Sequence, residues 1–138
     1  MQTTQSDVIA RNLAAVEAHF HSEATGEIEA AVDLYTDDAI WESPARGLIF
    51  EGKEATAANY RRMFASLRNV EFHQVQRFAT EDRVVDDSIV TFDLIGDGMV
   101  NAPLPIGSSV EMRLVHIFEM RDGKISKESA YEIWRPKP

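Results

Sequence analysis

A histidine lies on an otherwise apolar face of a predicted strand near the end of the chain. The alternating residues of segment 110–120 that share this face are Val110, Met112, Leu114, His116, Phe118 and Met120. Burial among apolar side chains would keep the imidazole of His116 neutral, and a neutral imidazole suits proton transfer near pH 7. His116 is therefore either an acid–base residue or a core histidine that is hydrogen-bonded to a hydroxyl or a backbone group.

The residue opposite His116 depends on the turn that follows its strand. A two-residue type I′ turn at 122–123 would pair His116 with Ser129, whereas a three-residue loop at 121–123 with a glycine bulge would pair it with Glu128. A histidine and a glutamate in an apolar cavity could act as an acid–base unit, because each charged partner favours ionisation of the other. An exposed strand with alternating charges would explain the same residues, so both interpretations stay open.

Further polar residues precede this strand. Alternation places Trp41 and Ser43 on one face of a short strand and Glu42 on the other face, toward solvent. On the first predicted helix, His19 lies at the edge of the apolar stripe and Glu23 near its centre. We expect Glu23, which is close to the helix end, to reach solvent.

The hydrophobic periodicity predicts three helices and then four long strands. Apolar spacings of three and four indicate helices over about 7–24, capped by Ser6 or Asp7, over about 28–35, and from Gly52 onward. Tyr60 lies on the apolar side of the third helix, where it would form part of a pocket wall. From Val70 the period changes to two, which predicts strands at about 70–80, 83–95, 109–120 and 124–135. This order indicates the α+β class, with helices covering one face of a strongly curved sheet.

The composition indicates one acidic domain. The chain has 138 residues and a formal net charge of −9, so a core can form, but no basic stripe exists for nucleic acid. No apolar run reaches the length of a signal peptide or a membrane span, which predicts a cytoplasmic protein without a membrane partner. There is no cysteine, and His19, His21 and His73 lack the spacing of metal ligands, so we expect no metal and no cofactor.

Three segments resemble the nuclear transport factor 2-like superfamily, namely GEIEAAVDLYTDDAIWESP, GKEATAANYRRMF and HIFEMRDGKISKESAYEIW. They are most similar to its ketosteroid isomerase and SnoaL-like polyketide cyclase branches, and the order of elements matches across nearly all of residues 1–138. The resemblance implies a single domain, a cone-shaped α+β barrel in which three N-terminal helices pack on a curved, mostly antiparallel sheet around a pocket. It also favours the register that pairs His116 with Glu128, since pocket residues of the family then fall on Glu128, Ala130 and Glu132.

The familiar catalysts of these branches are missing from the chain. Ser43 occupies the position similar to the isomerases' general base, an aspartate, and serine cannot abstract a carbon-bound proton unaided. Ala130 aligns closest to the acid of the cyclases. His19 is similar in position to the isomerases' oxyanion-hole tyrosine, so the resemblance implies a hydrogen bond from His19 to a ligand oxygen.

These residues lead to a hypothesis of proton-transfer chemistry, such as isomerisation, aldol cyclisation or dehydration, on a small apolar molecule that carries oxygen. His116 would be the acid–base residue, and Glu128 or Glu132 its carboxylate partner. The residues expected to bind the substrate are His19, Trp41, Ser43, Tyr60, Met112, Leu114 and Ala130. The rival hypothesis is a non-catalytic ligand-binding or dimerisation domain. In either case we expect a homodimer through the open sheet face that carries Glu111, Arg113, Val115, Ile117 and Glu119.

Overall fold

Three α-helices and six β-strands make up the part of the chain that the computed structural model describes, residues 3–138. The helices are α1 (Gln5–Ala24), α2 (Ile28–Val32) and α3 (Lys53–Ala65). The strands are β1 (Tyr35–Ser43), β2 (Leu48–Glu51), β3 (Leu67–Ala79), β4 (Arg83–Leu94), β5 (Ser109–Arg121) and β6 (Lys124–Pro136). Within this part of the chain, no helix is both long enough and apolar enough to cross a membrane.

The first helix begins earlier than predicted. Its N-cap is Thr4, so the prediction of Ser6 or Asp7 is wrong. Thr4 Oγ1 accepts a hydrogen bond from the Asp7 N–H at 3.1 Å, and Asp7 Oδ2 accepts one from the Thr4 N–H at 3.3 Å. This reciprocal capping satisfies two N–H groups and fixes the start of α1. At the other end, Gly26 has a left-handed φ of 78°, and the chain turns there into α2.

The six strands form one curved, unclosed sheet in the order β2-β1-β6-β5-β4-β3. The predicted antiparallel meander of the four long strands is confirmed. The sequence did not indicate that β1 runs parallel to β6, an arrangement that places Trp41 directly beside Glu128. β1 also begins earlier than predicted, at Tyr35, which the periodicity assigned to the second helix. The helices and the inner face of the sheet bury one core, and the α+β class is confirmed.

The hairpin between β5 and β6 has neither predicted register. Asp122 and Gly123 have φ of 53° and 79°, as a two-residue type I′ turn requires. A β-bulge at Ser126 then shifts the pairing by one residue, and the Ser126 hydroxyl donates to the Glu119 carbonyl at 3.0 Å. His116 therefore lies opposite Ala130, so both Ser129 and Glu128 are wrong as its direct partner. The bulge nevertheless turns the side chains at 128, 130 and 132 to the same inner face as the imidazole.

Candidate active site

A cavity lies between the helices and the inner face of the sheet. The cavity is open to solvent at its mouth, and its volume is about 500 Å³ with that mouth included. The apolar wall includes Trp41, Met63, Phe64, Phe92, Met112, Leu114 and Ala130. The polar side chains that line the cavity are Glu23, Arg46, Tyr60, His116, Glu128 and Glu132. A largely apolar cavity with a few converging polar groups is typical of a small-molecule site.

Glu128 of β6 is fully buried and accepts hydrogen bonds on both carboxylate oxygens. Tyr60 Oη donates to Oε2 at 2.5 Å, and Trp41 Nε1 donates to the same oxygen at 2.6 Å. Tyr35 Oη donates to Oε1 at 3.1 Å. The parallel pairing of β1 with β6 supplies the tryptophan and one tyrosine, and α3 supplies the other tyrosine. Several donors around one carboxylate stabilise its charged form in spite of burial.

His19 of α1 bridges two buried carboxylates. Its Nδ1 lies 3.1 Å from the Ala31 carbonyl oxygen, which can only accept a hydrogen bond, so Nδ1 carries a proton. Its Nε2 lies 2.7 Å from Glu23 Oε1 and 3.3 Å from Glu128 Oε1. A proton on each ring nitrogen satisfies all three acceptors, so the geometry favours an imidazolium ion between two carboxylates.

The pKa values of this cluster follow from these contacts. Burial alone would lower the pKa of His19, but the charges and hydrogen bonds of Glu23 and Glu128 outweigh burial and raise it to about 10. Burial alone would raise the pKa of Glu128, but the hydrogen bond from His19, the charges of His116 and His19, and the Tyr60 hydroxyl lower it to about 2. His19 and Glu128 therefore both stay charged at neutral pH.

The prediction that Glu23 reaches solvent is wrong, because its side chain is only 4% exposed. Residues four apart on a helix lie on the same face, so α1 directs Glu23 and His19 inward together. The sequence contains a signal for the burial of Glu23, since this residue lies near the centre of the apolar stripe of α1 and His19 is one turn before it. The expectation that a charged residue near a helix end is exposed was the wrong choice here.

His116 lies beside the charged cluster without being hydrogen-bonded to it. Its Nε2 is 3.9 Å from Glu128 Oε2, which is too long for a hydrogen bond, so the predicted close pair is not formed. Its Nδ1 is buried and has no hydrogen-bond partner within residues 3–138. The rings of Phe20 and Phe118 pack against the imidazole at centroid distances of 5.4 and 5.2 Å. His116 is thus held in place by packing; its side chain lines the cavity, and its Nδ1 is enclosed and unpaired.

Glu132 belongs to a second buried network. Arg46 donates to Glu132 through Nε at 2.9 Å and Nη2 at 3.2 Å, and both side chains are 2% exposed. Ser43 Oγ and Trp134 Nε1 add hydrogen bonds of 3.1 and 2.8 Å to the same carboxylate. Nη1 of Arg46 also donates to the Val100 carbonyl at 3.0 Å. Glu132 is therefore charge-neutralised and has no free acceptor site, which does not suit the predicted role of acid–base partner.

Most of the predicted site residues meet at the cavity. Those that line it are Trp41, Tyr60, Met112, Leu114, His116, Glu128, Ala130 and Glu132. His19 and Ser43 lie behind this wall, where His19 contacts Glu23 and Glu128 and Ser43 donates to Glu132. Sequence reasoning missed Arg46 and the roles of Glu23 and Tyr35. No group of three or more His, Cys, Asp or Glu side chains in the described residues converges to hold a metal ion.

Several solved structures with the same fold carry enzyme names. An LEH-like epoxide hydrolase from M. tuberculosis is 20% identical, with a TM-score of 0.71, and the match covers 91% of this chain and 84% of that one. The epoxide hydrolase/cyclase-like enzyme SalBIII, of pyran ring formation in the polyether salinomycin, is 18% identical over 90% and 92% of the two chains, with a TM-score of 0.73. A putative polyketide cyclase from Xanthomonas campestris is 21% identical over 90% and 91%, with a TM-score of 0.70.

The sequence itself identifies the family. No curated protein matches the chain significantly. The model of the SnoaL-like domain matches residues 16–128, which run from α1 to the buried Glu128 and include every strand up to β6. The chain therefore belongs to the SnoaL-like domain family of the nuclear transport factor 2-like superfamily.

Proposed function

We propose that this protein is an enzyme that transfers protons on a small apolar molecule that carries oxygen, in an isomerisation, an aldol cyclisation or a dehydration. The observation that carries the proposal is His116, a buried histidine that lines an apolar cavity, has an unpaired ring nitrogen and lies near a permanent anion. A merely structural histidine would have satisfied Nδ1 with a hydroxyl or a carbonyl, because an unpaired buried polar atom costs about 1–3 kcal/mol.

The charges around His116 fit this role. In the proposed reaction, protonated His116 donates a ring N–H proton to the ligand oxygen, where negative charge develops. Glu128 stabilises the positive charge on the imidazolium from 3.9 Å, and burial among Phe20 and Phe118 strengthens this attraction. Glu128 itself does not abstract a proton, because the hydrogen bonds that it accepts stabilise its charged form. The proton donation by His116 and its support by Glu128 involve only these side chains and the ligand.

The other predicted site residues receive supporting roles in this proposal. Trp41 and Tyr60 hold the Glu128 carboxylate, and Ser43 together with Arg46 holds the Glu132 carboxylate. Met112, Leu114 and Ala130 form the surface that the apolar part of the ligand contacts. The names of the structural neighbours agree with this class of substrate, since they include a putative polyketide cyclase and an epoxide hydrolase/cyclase-like enzyme that acts in pyran ring formation.

Deuterium exchange at carbon tests the proposal without knowledge of the natural substrate. Cyclohexanone, 2-decalone and a steroid 5-en-3-one are incubated with the protein in D₂O, and deuterium next to the carbonyl is counted by NMR. We expect faster exchange than in buffer for at least one of these ketones, and a loss of about 100-fold or more in His116→Ala, as for removal of a general acid. The exposed His73 on β3 provides the control, His73→Ala, with no loss. Equal exchange by wild-type protein and His116→Ala would refute the proposal.

We also propose that the protein forms a homodimer through the outer face of the sheet. This face exposes Ile133 and Tyr131 by 70% and 44%, next to the outward residues Val115 and Ile117 of β5. Apolar side chains of this size are enriched at the cores of homodimer interfaces. Light scattering is expected to give twice the mass of the chain, and Ile133→Lys is expected to halve it. A wild-type monomer at micromolar concentration would exclude the dimer. The cytoplasmic location stays a prediction.

A further inference from the structure

Three glutamates line the cavity, and they differ in how many hydrogen bonds they already accept. A carboxylate offers about four acceptor sites. Glu128 receives donors from Tyr35, Trp41 and Tyr60 and contacts the His19 imidazolium. Glu132 receives four hydrogen bonds from its own network around Arg46. Neither carboxylate has a free site for a proton from a ligand.

Glu23 is the exception. Its Oε1 is fixed by His19 Nε2 at 2.7 Å, and its Oε2 receives no hydrogen bond from any residue in 3–138. The side chain is nine-tenths buried, and yet it lines the cavity. An anchored carboxylate with one free oxygen at an apolar cavity has the arrangement of a general base, because the proton acceptor is oriented and not shared.

We propose that Glu23 is the general base of this site and that His19 is its positioning residue. The inference rests on the proposed function. Glu23 Oε2 takes a proton from the carbon next to a ligand carbonyl, and the C–H electron pair forms a C=C bond. The π electrons of the carbonyl move to its oxygen, which takes a ring N–H proton of His116. Where the ligand has a C=C bond β,γ to the carbonyl, this product is a dienol. The enol proton then returns to His116 while Glu23 gives its proton to the γ carbon, which completes an isomerisation with no net change of atoms or charge.

Glu23 also lies between the cavity and a groove on the outer surface. Glu23, Phe64, Leu67 and Val70 line both the cavity and a groove on the outer surface. The groove runs past the end of α1 and the end of α3, next to Gly26 and Arg61. Glu23 is therefore part of the wall that separates the apolar cavity from this groove.

A model reaction tests proton abstraction by Glu23 without knowledge of the natural substrate. In 5-nitrobenzisoxazole, a base removes the proton at C3, the N–O bond breaks, and the yellow 2-cyano-4-nitrophenolate forms. We expect the wild-type protein to accelerate this elimination and Glu23→Gln to lose about 100-fold or more of the acceleration. Glu17→Gln is the matched control, since Glu17 lies on the same helix with its side chain 70% exposed, and its rate should equal that of wild type.

A conservative variant separates a catalytic role from a structural one. Glu23→Asp keeps a carboxylate and is expected to retain part of the acceleration, whereas Glu23→Gln is not. A Glu23→Gln rate equal to that of wild type overturns the inference, and so does a wild-type rate no faster than buffer. If ketone exchange still depends on His116 in either case, the proposed function stands and only the assignment of the base fails.

Discussion

Replacement of Glu128 by glutamine is expected to lower the free energy of unfolding by about 3–5 kcal/mol, the usual cost of breaking a buried ion pair. The carboxylate accepts from the two tyrosines Tyr35 and Tyr60 and from Trp41, and it contacts the His19 imidazolium. The amide group of glutamine would direct two N–H donors at these donors and would remove the charge that His19 needs. Urea unfolding near pH 6 measures the change.

The control for this variant is Glu42→Gln. Glu42 lies next to Trp41 on β1 but faces outward, and its nearest basic partner is Lys127 Nζ at 3.5 Å. Surface ion pairs of this kind contribute about 0–1 kcal/mol, so we expect a change in that range. A loss in Glu128→Gln no larger than that in Glu42→Gln would contradict the buried, charged cluster.

The pH dependence of stability is the second large effect. The pKa of His19 is raised from 6.5 to about 10 on folding, so its contribution is complete below pH 6.5 and is lost as pH rises toward 10. The pKa of Glu128 is lowered from 4.5 to about 2, so its contribution is complete above pH 4.5 and is lost as pH falls toward 2. We therefore expect maximal stability between pH 4.5 and 6.5. Since each pKa unit corresponds to about 1.4 kcal/mol, the alkaline loss should reach several kcal/mol.

Chemical unfolding across this pH range tests the sign and the origin of the effect. His19→Gln cannot titrate, so this variant should be less stable at pH 6.5 and should lose much less stability between pH 6.5 and 10. A wild-type free energy of unfolding that stays constant, or rises, over the same interval would contradict a charged His19. Equal alkaline losses in both proteins would assign the effect to other groups.

The sequence predicted the long elements because their signals are local. Strict alternation identifies the four long strands, and the turn residues between them, such as Asp122-Gly123, set their ends. The parallel pairing of β1 with β6 has no comparable signal, because it joins residues about ninety positions apart in the chain and depends on tertiary packing. The bulge at Ser126 likewise follows from packing of the inner face and not from a turn motif.

The candidate site could likewise be predicted where its signals are local and not where it depends on long-range contacts. Alternation directed His116, Met112 and Leu114 inward correctly, since a strand repeats every two residues. The charge state of the glutamates was not predictable, because it depends on donors from distant elements. Arg46 shows this most clearly: it follows Ser43 by three residues in the chain, but only the folded sheet brings it to Glu132. The sequence does not indicate the contact between Arg46 and Glu132, and it therefore offers Glu132 and Glu128 equally as carboxylate partners of His116.

The most direct test of the account is NMR of the histidine ring nitrogens during titration with 2-decalone at about pH 8, where a neutral and a doubly protonated imidazole give distinct signals. We expect the His116 signals to shift in a saturable manner. His19 should keep both nitrogens protonated throughout, and the exposed His73 should not respond. A His19 ring with only one proton, or His116 signals unchanged at ketone concentrations that saturate the exchange reaction, would contradict the account.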